Sequence, residues 1–528
     1  MLIFQHFLLI IVVLLQGQIS VSELNCDRSR WNLETLVCHA VGEKKNYILT
    51  RNKQSDIADT TLTSSFQNVD WGRIKTVGLK NARLLTLSPE LFASASSLTN
   101  LDLSGNPDLC FSGEEFVYLG NLETLRLSGT GKCAGKSLLS KVPNLYSLDL
   151  SNVGVPFDIF SSTNLNSFNK LQIVDLSRNN AHKIDFTKFN VGGVLKSINV
   201  SETEVKLGDR CFETATNLRT VIMSHSKIRN VPQDTFKGTF ITFLDLSYNF
   251  INADGARSLV DSMSYVNMSH NHIGDMFRPG VFKQGLETLD LSYNNITHLH
   301  VESFWLTNKL RTLNLAHNKL AWMYEKLFAE MDTIEELDLS YNLMINFFDT
   351  FFTDLRRLET LNLAGNQLLS LDNSLFQNNA LLENLNLENN HLTTLNILTF
   401  VPLKRLKRLE LRNNRLTRLP EDLLHVGDLN YFAVECNRLT YLSGSFFKGK
   451  LGTEVSLHGN PWKCACLSPI ISAVDVYDLR LDRKYFNDGN HPTCYVGDMN
   501  NNQCDDNTLS DSDYNTWERT VAETGIKC

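Results

Sequence analysis

The chain of 528 residues has few prolines, glycines and cysteines and no excess of positive charge. It contains only 11 prolines and 28 glycines, and 42% of its residues are hydrophobic, which excludes a collagen-like or a disordered chain. The 50 lysines and arginines are outnumbered by 58 aspartates and glutamates, so the net charge of −8 provides no overall attraction to nucleic acid. Eleven cysteines are too few for a fold held mainly by disulfides, and their odd number predicts an intermolecular bond or a free thiol.

Long hydrophobic runs are also scarce. Residues 7–15 read FLLIIVVLL, no other stretch approaches this length, and the C-terminal residues carry no hydrophobic tail. Nine apolar residues are too few to cross a bilayer, which needs ~20, but they suit a signal peptide whose small residues Ser20 and Ser22 precede a cleavage site. We therefore expect a signal peptide in residues 1–22 and a secreted, extracellular chain with no membrane insertion. An uncleaved anchor is the alternative.

What the sequence has in abundance is the pattern L-x-x-L-x-L-x-x-N-x-L. It recurs from residue 74 to residue 460, and a clean copy begins at Leu286. Leucines two apart, such as Leu289 and Leu291, place both side chains on one face of a short strand. One unit cannot bury this face alone, so the units are predicted to stack. Seventeen units begin at residues 74, 98, 122, 145, 171, 195, 218, 241, 263, 286, 310, 334, 358, 382, 406, 429 and 452.

The pattern resembles the leucine-rich repeat. The resemblance implies an α/β solenoid, a horseshoe of about 17 repeats with a parallel concave sheet, in which the ninth-position asparagine bonds the backbone of a buried turn. Other residues at the ninth position predict a less regular asparagine ladder in the first half; they are Thr130, Val153, Thr203 and Ser226. An aromatic recurring every 24 residues predicts a buried spine, formed by Phe304, Phe328, Phe352, Phe376 and Phe400.

A solenoid exposes its core at both ends, so we expect capping segments. The predicted divisions are an N-terminal cap in residues 23–73, the repeats in residues 74–460, and a C-terminal cap with an acidic tail in residues 461–528. Cys26 and Cys38 look like the disulfide of the N-terminal cap. The caps are therefore predicted to carry disulfides.

The C-x-C motif at Cys464 and Cys466 resembles the C-terminal flanking module of extracellular leucine-rich repeat proteins. This resemblance implies that Cys494, together with Cys504 or Cys528, supplies the partners. Zinc binding is the alternative, but the C-x-C spacing and an oxidising compartment disfavour it.

Cysteines in the array and the tail complete the pairing scheme. Cys110 and Cys133 lie at similar positions of adjacent repeats, which stacking would place roughly 5 Å apart, a distance that suits a disulfide. The cysteines then left over are Cys211, Cys436 and one of Cys504 or Cys528. Cys211 is expected to be a buried, small apolar residue. The scheme predicts a covalent dimer through an unpaired tail cysteine; the alternative is a tail that folds back while an interior cysteine stays reduced.

Histidine and tyrosine alternate at the eighth position of six consecutive repeats. These residues are His225, Tyr248, His270, Tyr293, His317 and Tyr341. Aromatic side chains with polar tips are good interface anchors, and histidine titrates near physiological pH. We therefore predict a partner-binding ladder with a pH-sensitive contact. The alternative is that these side chains merely stack on one another.

The fifteenth repeat is locally basic. Its candidate partner-binding residues are Arg405, Arg408, Arg412 and Arg415. They could bind an anionic glycan, a phosphate group or an acidic protein face. The alternatives are a solvated surface that balances acidic neighbours, or a surface covered by the acidic tail.

Three N-glycosylation sequons begin at Asn199, Asn267 and Asn295. The first two asparagines occupy the fifth position of their repeats, which is predicted to face outward on the concave side in a column of aspartates and asparagines. Glycans there would obstruct the middle of the concave face. They would move partner binding to a flank or to the C-terminal third.

The chain lacks a Walker loop, an H-E-x-x-H pair and a G-x-S-x-G elbow, so we predict no enzymatic activity, no cofactor and no metal. Its overall plan resembles the insect secreted leucine-rich repeat proteins, particularly the mosquito leucine-rich immune proteins. The better-known members carry a C-terminal coiled coil, and this chain, without sustained heptads after Cys504, would match a branch without one. The resemblance implies action in haemolymph, binding to complement-like thioester proteins and pathogen killing.

The predicted function is therefore a secreted recognition or scaffold protein of innate immunity. Its expected partners are a complement-like thioester protein, a pathogen surface or another leucine-rich repeat protein. The alternative is a developmental or cell-adhesion ligand or receptor ectodomain, resembling Toll-like receptors. A secreted enzyme inhibitor is a third possibility.

Overall fold

The computed structural model describes most of the repeat array. The described residues are 24–25, 36–40, 47–50, 75–81, 84–131, 141–153, 169–179, 183–186, 193–275, 282–443, 445–450, 452–463, 465–466, 480–481 and 508–523. The predicted signal peptide lies outside them. The chain forms two compact units, Met1–Glu204 and Val205–Cys528.

The first unit contains a small antiparallel sheet and a parallel sheet. The antiparallel strands, in the predicted N-terminal cap, are β1 (Leu24–Asn25), β2 (Leu36–Ala40) and β3 (Tyr47–Thr50). Subsequent strands are β4 (Thr76–Gly78), β5 (Asn100–Asp102), β6 (Thr124–Arg126), β7 (Ser147–Asp149), β8 (Ile173–Asp175), β9 (Lys183–Asp185) and β10 (Ser197–Asn199). Strands β4 to β8 and β10 pair in parallel, each with the next.

The second unit contains a longer parallel sheet, after β11 (Glu204–Lys206) at the boundary. Its strands are β12 (Thr220–Ile222), β13 (Phe243–Asp245), β14 (Tyr265–Asn267), β15 (Thr288–Asp290), β16 (Thr312–Asn314), β17 (Glu336–Asp338), β18 (Thr360–Asn362), β19 (Asn384–Asn386), β20 (Arg408–Glu410), β21 (Tyr431–Ala433), β22 (Glu454–Ser456) and β23 (Arg480–Leu481). Equivalent residues lie opposite each other, as Leu289 and Leu313 do. The described residues of this unit include the helices α1 (Ile397–Phe400) and α2 (Asp511–Glu523).

All seventeen predicted repeats are confirmed, because each contributes a strand at its third to fifth positions. Leu289 and Leu291 are 0% exposed, as the inward face of a strand requires. Opposite the strands, the described segments are mostly turns and short 3-10 helices, and they bury the predicted phenylalanine spine. All five spine side chains are at most 2% exposed, and neighbouring rings contact each other, for example Phe304 and Phe328 at 6.1 Å between centroids.

The ninth-position asparagines form the predicted ladder. In the second unit, Asn294 Nδ2 donates to the carbonyls of Met268, Leu291 and Ser292 at 3.0 to 3.1 Å, and its Oδ1 accepts from Ile273 N. These bonds satisfy backbone groups that the buried turn would leave unpaired. The predicted irregularity is also present. Thr130 Oγ1, for example, reaches a carbonyl within its own repeat, that of Leu127.

Every repeat turns through a residue in the left-handed region at its eighth position. The φ angle lies between 51° and 72° at all seventeen eighth positions. Four of these residues are glycines and four are asparagines, the types that adopt this conformation most readily. In the other nine repeats a larger side chain is held there.

The acidic C-terminal helix packs back on the second unit. Asp511 in α2 lies 2.9 Å from Arg438 Nη1, and the Arg438 guanidinium stacks 4.4 Å from the Tyr514 ring. Trp517 is 8% exposed. The described part of the tail therefore contacts the sixteenth repeat. The sequence left open that the tail covers the basic fifteenth repeat, which is the neighbouring one. Within the described part of the chain, no helix is long and apolar enough to cross a membrane.

Candidate functional site

The alternating histidines and tyrosines of the second unit form one continuous stack of six rings. The centroids of successive rings are 4.0 to 4.3 Å apart, and their planes differ by only 8° to 13°. We call this stack the His–Tyr ladder. Its members are His225, Tyr248, His270, Tyr293, His317 and Tyr341.

Backbone geometry and solvent exposure define what the ladder presents. All six residues have φ between 52° and 55°. The four inner rings are covered on both faces by neighbours, so the ladder presents mainly ring edges. Tyr248, Tyr293 and Tyr341 are 44% to 46% exposed, whereas His270 and His317 are half-buried. The stack ends at Gly365, where an added Cβ would lie 2.5 Å from Tyr341 Cδ1. The result is a strip of alternating phenol and imidazole edges.

The ladder is held at some cost to the fold. A left-handed conformation costs a residue with a side chain about 1–2 kcal/mol relative to its preferred conformations. Glycine and asparagine occupy the same position in eight other repeats, so the solenoid does not require an aromatic there. Strain of this kind clusters at functional sites. Packing of the solenoid therefore does not explain why aromatic residues occupy the eighth position in these six repeats.

Two of the ladder histidines, His270 and His317, resist protonation. Burial lowers the pKa of His270 and His317, and in His270 the neighbouring histidines lower the pKa further. Asp338 acts in the opposite direction on His317. These two histidines are therefore uncharged at neutral pH and become charged only in acid.

A column of aspartates, of which Asp290 is buried, runs along the strands beside the ladder. Asp290 is 6% exposed, and its Oδ1 accepts a hydrogen bond from Ser292 N at 2.8 Å. Burial is the main cause that raises the Asp290 pKa to about 6, with a further contribution from Asp338. Burial also raises the pKa of Asp245. Acidification therefore neutralises Asp290 while it charges His270 and His317.

Replacing Asp290 by asparagine is expected to stabilise the protein at neutral pH by roughly 2 kcal/mol. The folded state binds a proton on Asp290 more tightly than the unfolded state, so the carboxylate destabilises the fold above pH 6 and this cost disappears towards pH 4. Asparagine keeps the bond to Ser292, as Asn314 does with Ala316 N at 3.0 Å. Urea unfolding at pH 7.5 and pH 4 measures the difference. Exposed Asp349→Asn is the control, and an unchanged Asp290→Asn midpoint at pH 7.5 contradicts the expectation.

The four arginines of the fifteenth repeat do not form one basic surface. Arg408 Nε lies 2.6 Å from Glu410 Oε1, and the Arg408 guanidinium stacks 3.6 Å from the Tyr431 ring. Arg412 lies 3.6 to 3.8 Å from carboxylate oxygens of Glu388, Glu410 and Glu435. These two arginines balance acidic neighbours, which is the alternative that the sequence left open.

The remaining two arginines lie apart from each other. Arg405 precedes strand β20 and Arg415 follows it, so they are at opposite ends of the strand, and both are exposed. The sequons also differ from one another. Asn295 is exposed, two residues after Tyr293 of the ladder, whereas Asn199 and Asn267 are half-buried strand residues. Glycosylation of all three stays a prediction.

The cysteines correct part of the predicted pairing scheme. Cys110, Cys436 and Cys466 are disulfide-bonded. The scheme, which left Cys436 without a disulfide partner, was wrong on this residue. Cys211 is free, and burial raises its thiol pKa to about 11, which makes it a poor nucleophile.

The other cysteine predictions are not tested by side-chain geometry. Of Cys38 only the backbone is described, in β2. The remaining predicted disulfide cysteines lie outside the described residues: Cys26, Cys133, Cys464, Cys494, Cys504 and Cys528. Within the described residues, no group of three or more His, Cys, Asp or Glu side chains could hold a metal ion.

Two family models match the chain. The model described as "Leucine rich repeat" matches residues 72–131, 262–320 and 356–416, and the model described as "BspA type Leucine rich repeat region (6 copies)" matches residues 166–258. Among curated proteins, the chain is similar to "Transforming growth factor beta activator LRRC33" of Danio rerio. They are 27% identical over 254 residues, covering 46% of this chain and 33% of the relative. The match therefore spans about a third of that relative.

Solved structures show the same fold. The Toll structure of the Drosophila Toll–Spatzle complex has a TM-score of 0.63 and 17% identity, and the match covers 83% of this chain and 65% of the other. A Leptospira interrogans repeat protein has a TM-score of 0.60 and 21% identity, covering 81% of this chain and 100% of the other. The plant peptide hormone receptor RGFR1, in complex with RGF2, has a TM-score of 0.53 and 18% identity, covering 80% and 67%.

Proposed function

Because the chain is a leucine-rich repeat protein, we propose that it is a secreted, non-enzymatic recognition protein that binds a protein partner along the His–Tyr ladder. One observation carries the proposal: six stacked aromatic side chains are held in a left-handed backbone conformation, and the three tyrosines among them are exposed. Glycine and asparagine serve the fold at this position elsewhere. Tyrosine is enriched among the residues that contribute most to protein binding.

The relatives support a protein ligand. Toll forms a complex with Spatzle, the plant peptide hormone receptor RGFR1 forms one with RGF2, and the zebrafish relative is an activator of transforming growth factor beta. We propose an extracellular role in innate immunity, with a complement-like thioester protein, a pathogen surface or another leucine-rich repeat protein as partner. The alternative is a developmental or adhesion receptor ectodomain, and the growth factor activator is the relative that favours it.

The test compares capture of a partner from extracellular fluid of the source organism. The ladder variant replaces Tyr248, Tyr293 and Tyr341 by asparagine, which the chain itself uses at the eighth position. Trp305→Ala is the control, because Trp305 is 63% exposed and lies outside the ladder. We expect cross-linking to yield a partner band with wild type and Trp305→Ala but not with the ladder variant. Equal capture by all three proteins contradicts ladder binding.

The identity of the captured partner separates the two biological roles. A complement-like or second leucine-rich repeat protein in the mass spectrum supports immunity, and a growth factor or cell-surface receptor supports the alternative. For samples captured without a cross-linker, comparison of non-reducing with reducing gels shows whether the complex is held by a disulfide. A band that disappears on reduction supports the predicted bond through a tail cysteine.

A further inference from the structure

Six exposed apolar side chains lie together in three consecutive repeats of the second unit, which begin at residues 310, 334 and 358. Each is between 43% and 53% exposed. They are Trp322, Tyr324, Leu343, Ile345, Phe348 and Leu369. We call this group the flank patch, because all six follow the ninth-position asparagine of their repeats.

Backbone and ring contacts join two pairs of patch residues. The rings of Trp322 and Tyr324 pack edge to face with centroids 4.9 Å apart. Leu369 N donates to the Ile345 carbonyl at 3.3 Å across neighbouring repeats. The adjacent Met344 fills the core instead and is only 1% exposed. The patch therefore adds nothing to the buried core, and an exposed apolar patch of this kind marks an interaction surface.

The charges around the patch are divided between its two ends. Lys319 and Lys326 are exposed in the first of its repeats, while Asp349 and Asp372 are exposed in the second and third. Glu325 interrupts the basic end, but its Oε1 already accepts a hydrogen bond from Thr350 Oγ1 at 2.7 Å. The patch thus has an apolar centre, a basic end and an acidic end.

This division of charge suits a second copy of the same chain. A two-fold axis through the apolar centre pairs the patches of two copies in antiparallel orientation. The lysines of one copy then face the aspartates of the other. A partner of a single charge sign would be repelled by one end. We propose that the flank patch is the interface of a two-fold symmetric dimer of this chain.

Such a dimer would extend the recognition surface. Leu343 in the patch follows Tyr341, the last ring of the ladder, by two residues. Dimerisation would therefore bring the Tyr341 ends of two ladders towards each other. A multivalent partner could then bind both ladders with an affinity above that of one. The dimer itself does not depend on the ladder's role.

Sedimentation equilibrium of the purified full chain tests the proposal. The chain carries Asn295→Gln, because Lys319 N bonds to the Ile296 carbonyl and a glycan at Asn295 would border the basic end. We expect reversible dimers, and we expect Ile345→Asp to weaken association at least about tenfold. Leu398→Asp is the matched control, since Leu398 is 56% exposed outside the patch. Thermal unfolding checks that each variant remains folded.

Charge exchange tests the two-fold arrangement. Lys326→Asp and Asp372→Lys are each expected to weaken association, and the double variant is expected to restore it. Monomers at about 0.1 mM, or dimers that Ile345→Asp and Leu398→Asp affect equally, overturn the proposal. A double variant as weak as the single variants overturns the two-fold arrangement. A dimer that survives Ile345→Asp but separates on reduction is the cysteine-linked form and counts against the patch.

Discussion

Replacing Asn342 by alanine is expected to lower the free energy of unfolding by about 3–5 kcal/mol. Asn342 is 4% exposed, and its Nδ2 donates to the carbonyls of Leu315, Leu339 and Ser340 at 2.9 to 3.2 Å. Its Oδ1 accepts from Leu320 N at 3.0 Å. Alanine leaves Leu320 N buried without a partner, which costs more than its bond contributes when present. Each of the three carbonyls loses one bond but keeps one donor, respectively Asn318 Nδ2, Asn366 Nδ2 and His317 N. Urea unfolding followed by circular dichroism measures the loss.

Two further variants show whether the loss comes from the ladder of asparagines. Asn342→Thr is expected to lose an intermediate amount, because Thr130 at the same position of its repeat bonds the Leu127 carbonyl of its own repeat at 2.7 Å. Asn373→Ala removes an exposed asparagine and is expected to change stability by less than about 0.5 kcal/mol. If Asn342→Ala changes stability as little as Asn373→Ala, water has replaced the amide and the asparagine ladder contributes little to stability.

The repeats could be located from sequence because one physical requirement recurs in every unit. Two inward residues separated by one outward residue, as at Leu289 and Leu291, define the strand and its register against the next strand. The left-handed turn was not predicted, although glycine and asparagine at the eighth position carried the signal. Tyr248 and Tyr293 obscured it, because tyrosine is not among the residue types enriched in the left-handed conformation.

The predicted site residues fared unevenly for a related reason. Alternation along the chain was enough to foresee that Tyr293 and His317 lie near each other, since equivalent positions stack. The basic repeat was misleading because the partners of Arg412, such as Glu388 and Glu435, lie about one repeat away in sequence and therefore outside the local charge count. The flank patch escaped notice because Ile345 and its neighbours occupy positions outside the consensus, where exposure depends on packing.

Replacing Tyr293 by glycine is expected to reduce partner binding at least about thirtyfold while changing stability by less than about 1 kcal/mol. Tyr293 lies in the middle of the ladder, with centroids 4.0 Å from both His270 and His317. Losing these contacts costs about 0.5–1.5 kcal/mol each. Glycine adopts the left-handed turn without the steric cost that tyrosine bears, and Gly365 already does so with φ of 64°. The two effects on stability therefore oppose each other.

This opposition allows the same variant to separate recognition from folding. Urea midpoints measure stability, and titration with the partner captured by the wild-type chain measures binding. Trp305→Gly is the control, since it removes an exposed aromatic outside the ladder and is expected to leave binding unchanged. A Tyr293→Gly protein that loses about 3 kcal/mol of stability but binds normally would make the ladder a structural brace. Loss of binding at near-normal stability means that the chain bears the backbone strain for recognition, because the fold itself gains nothing from it.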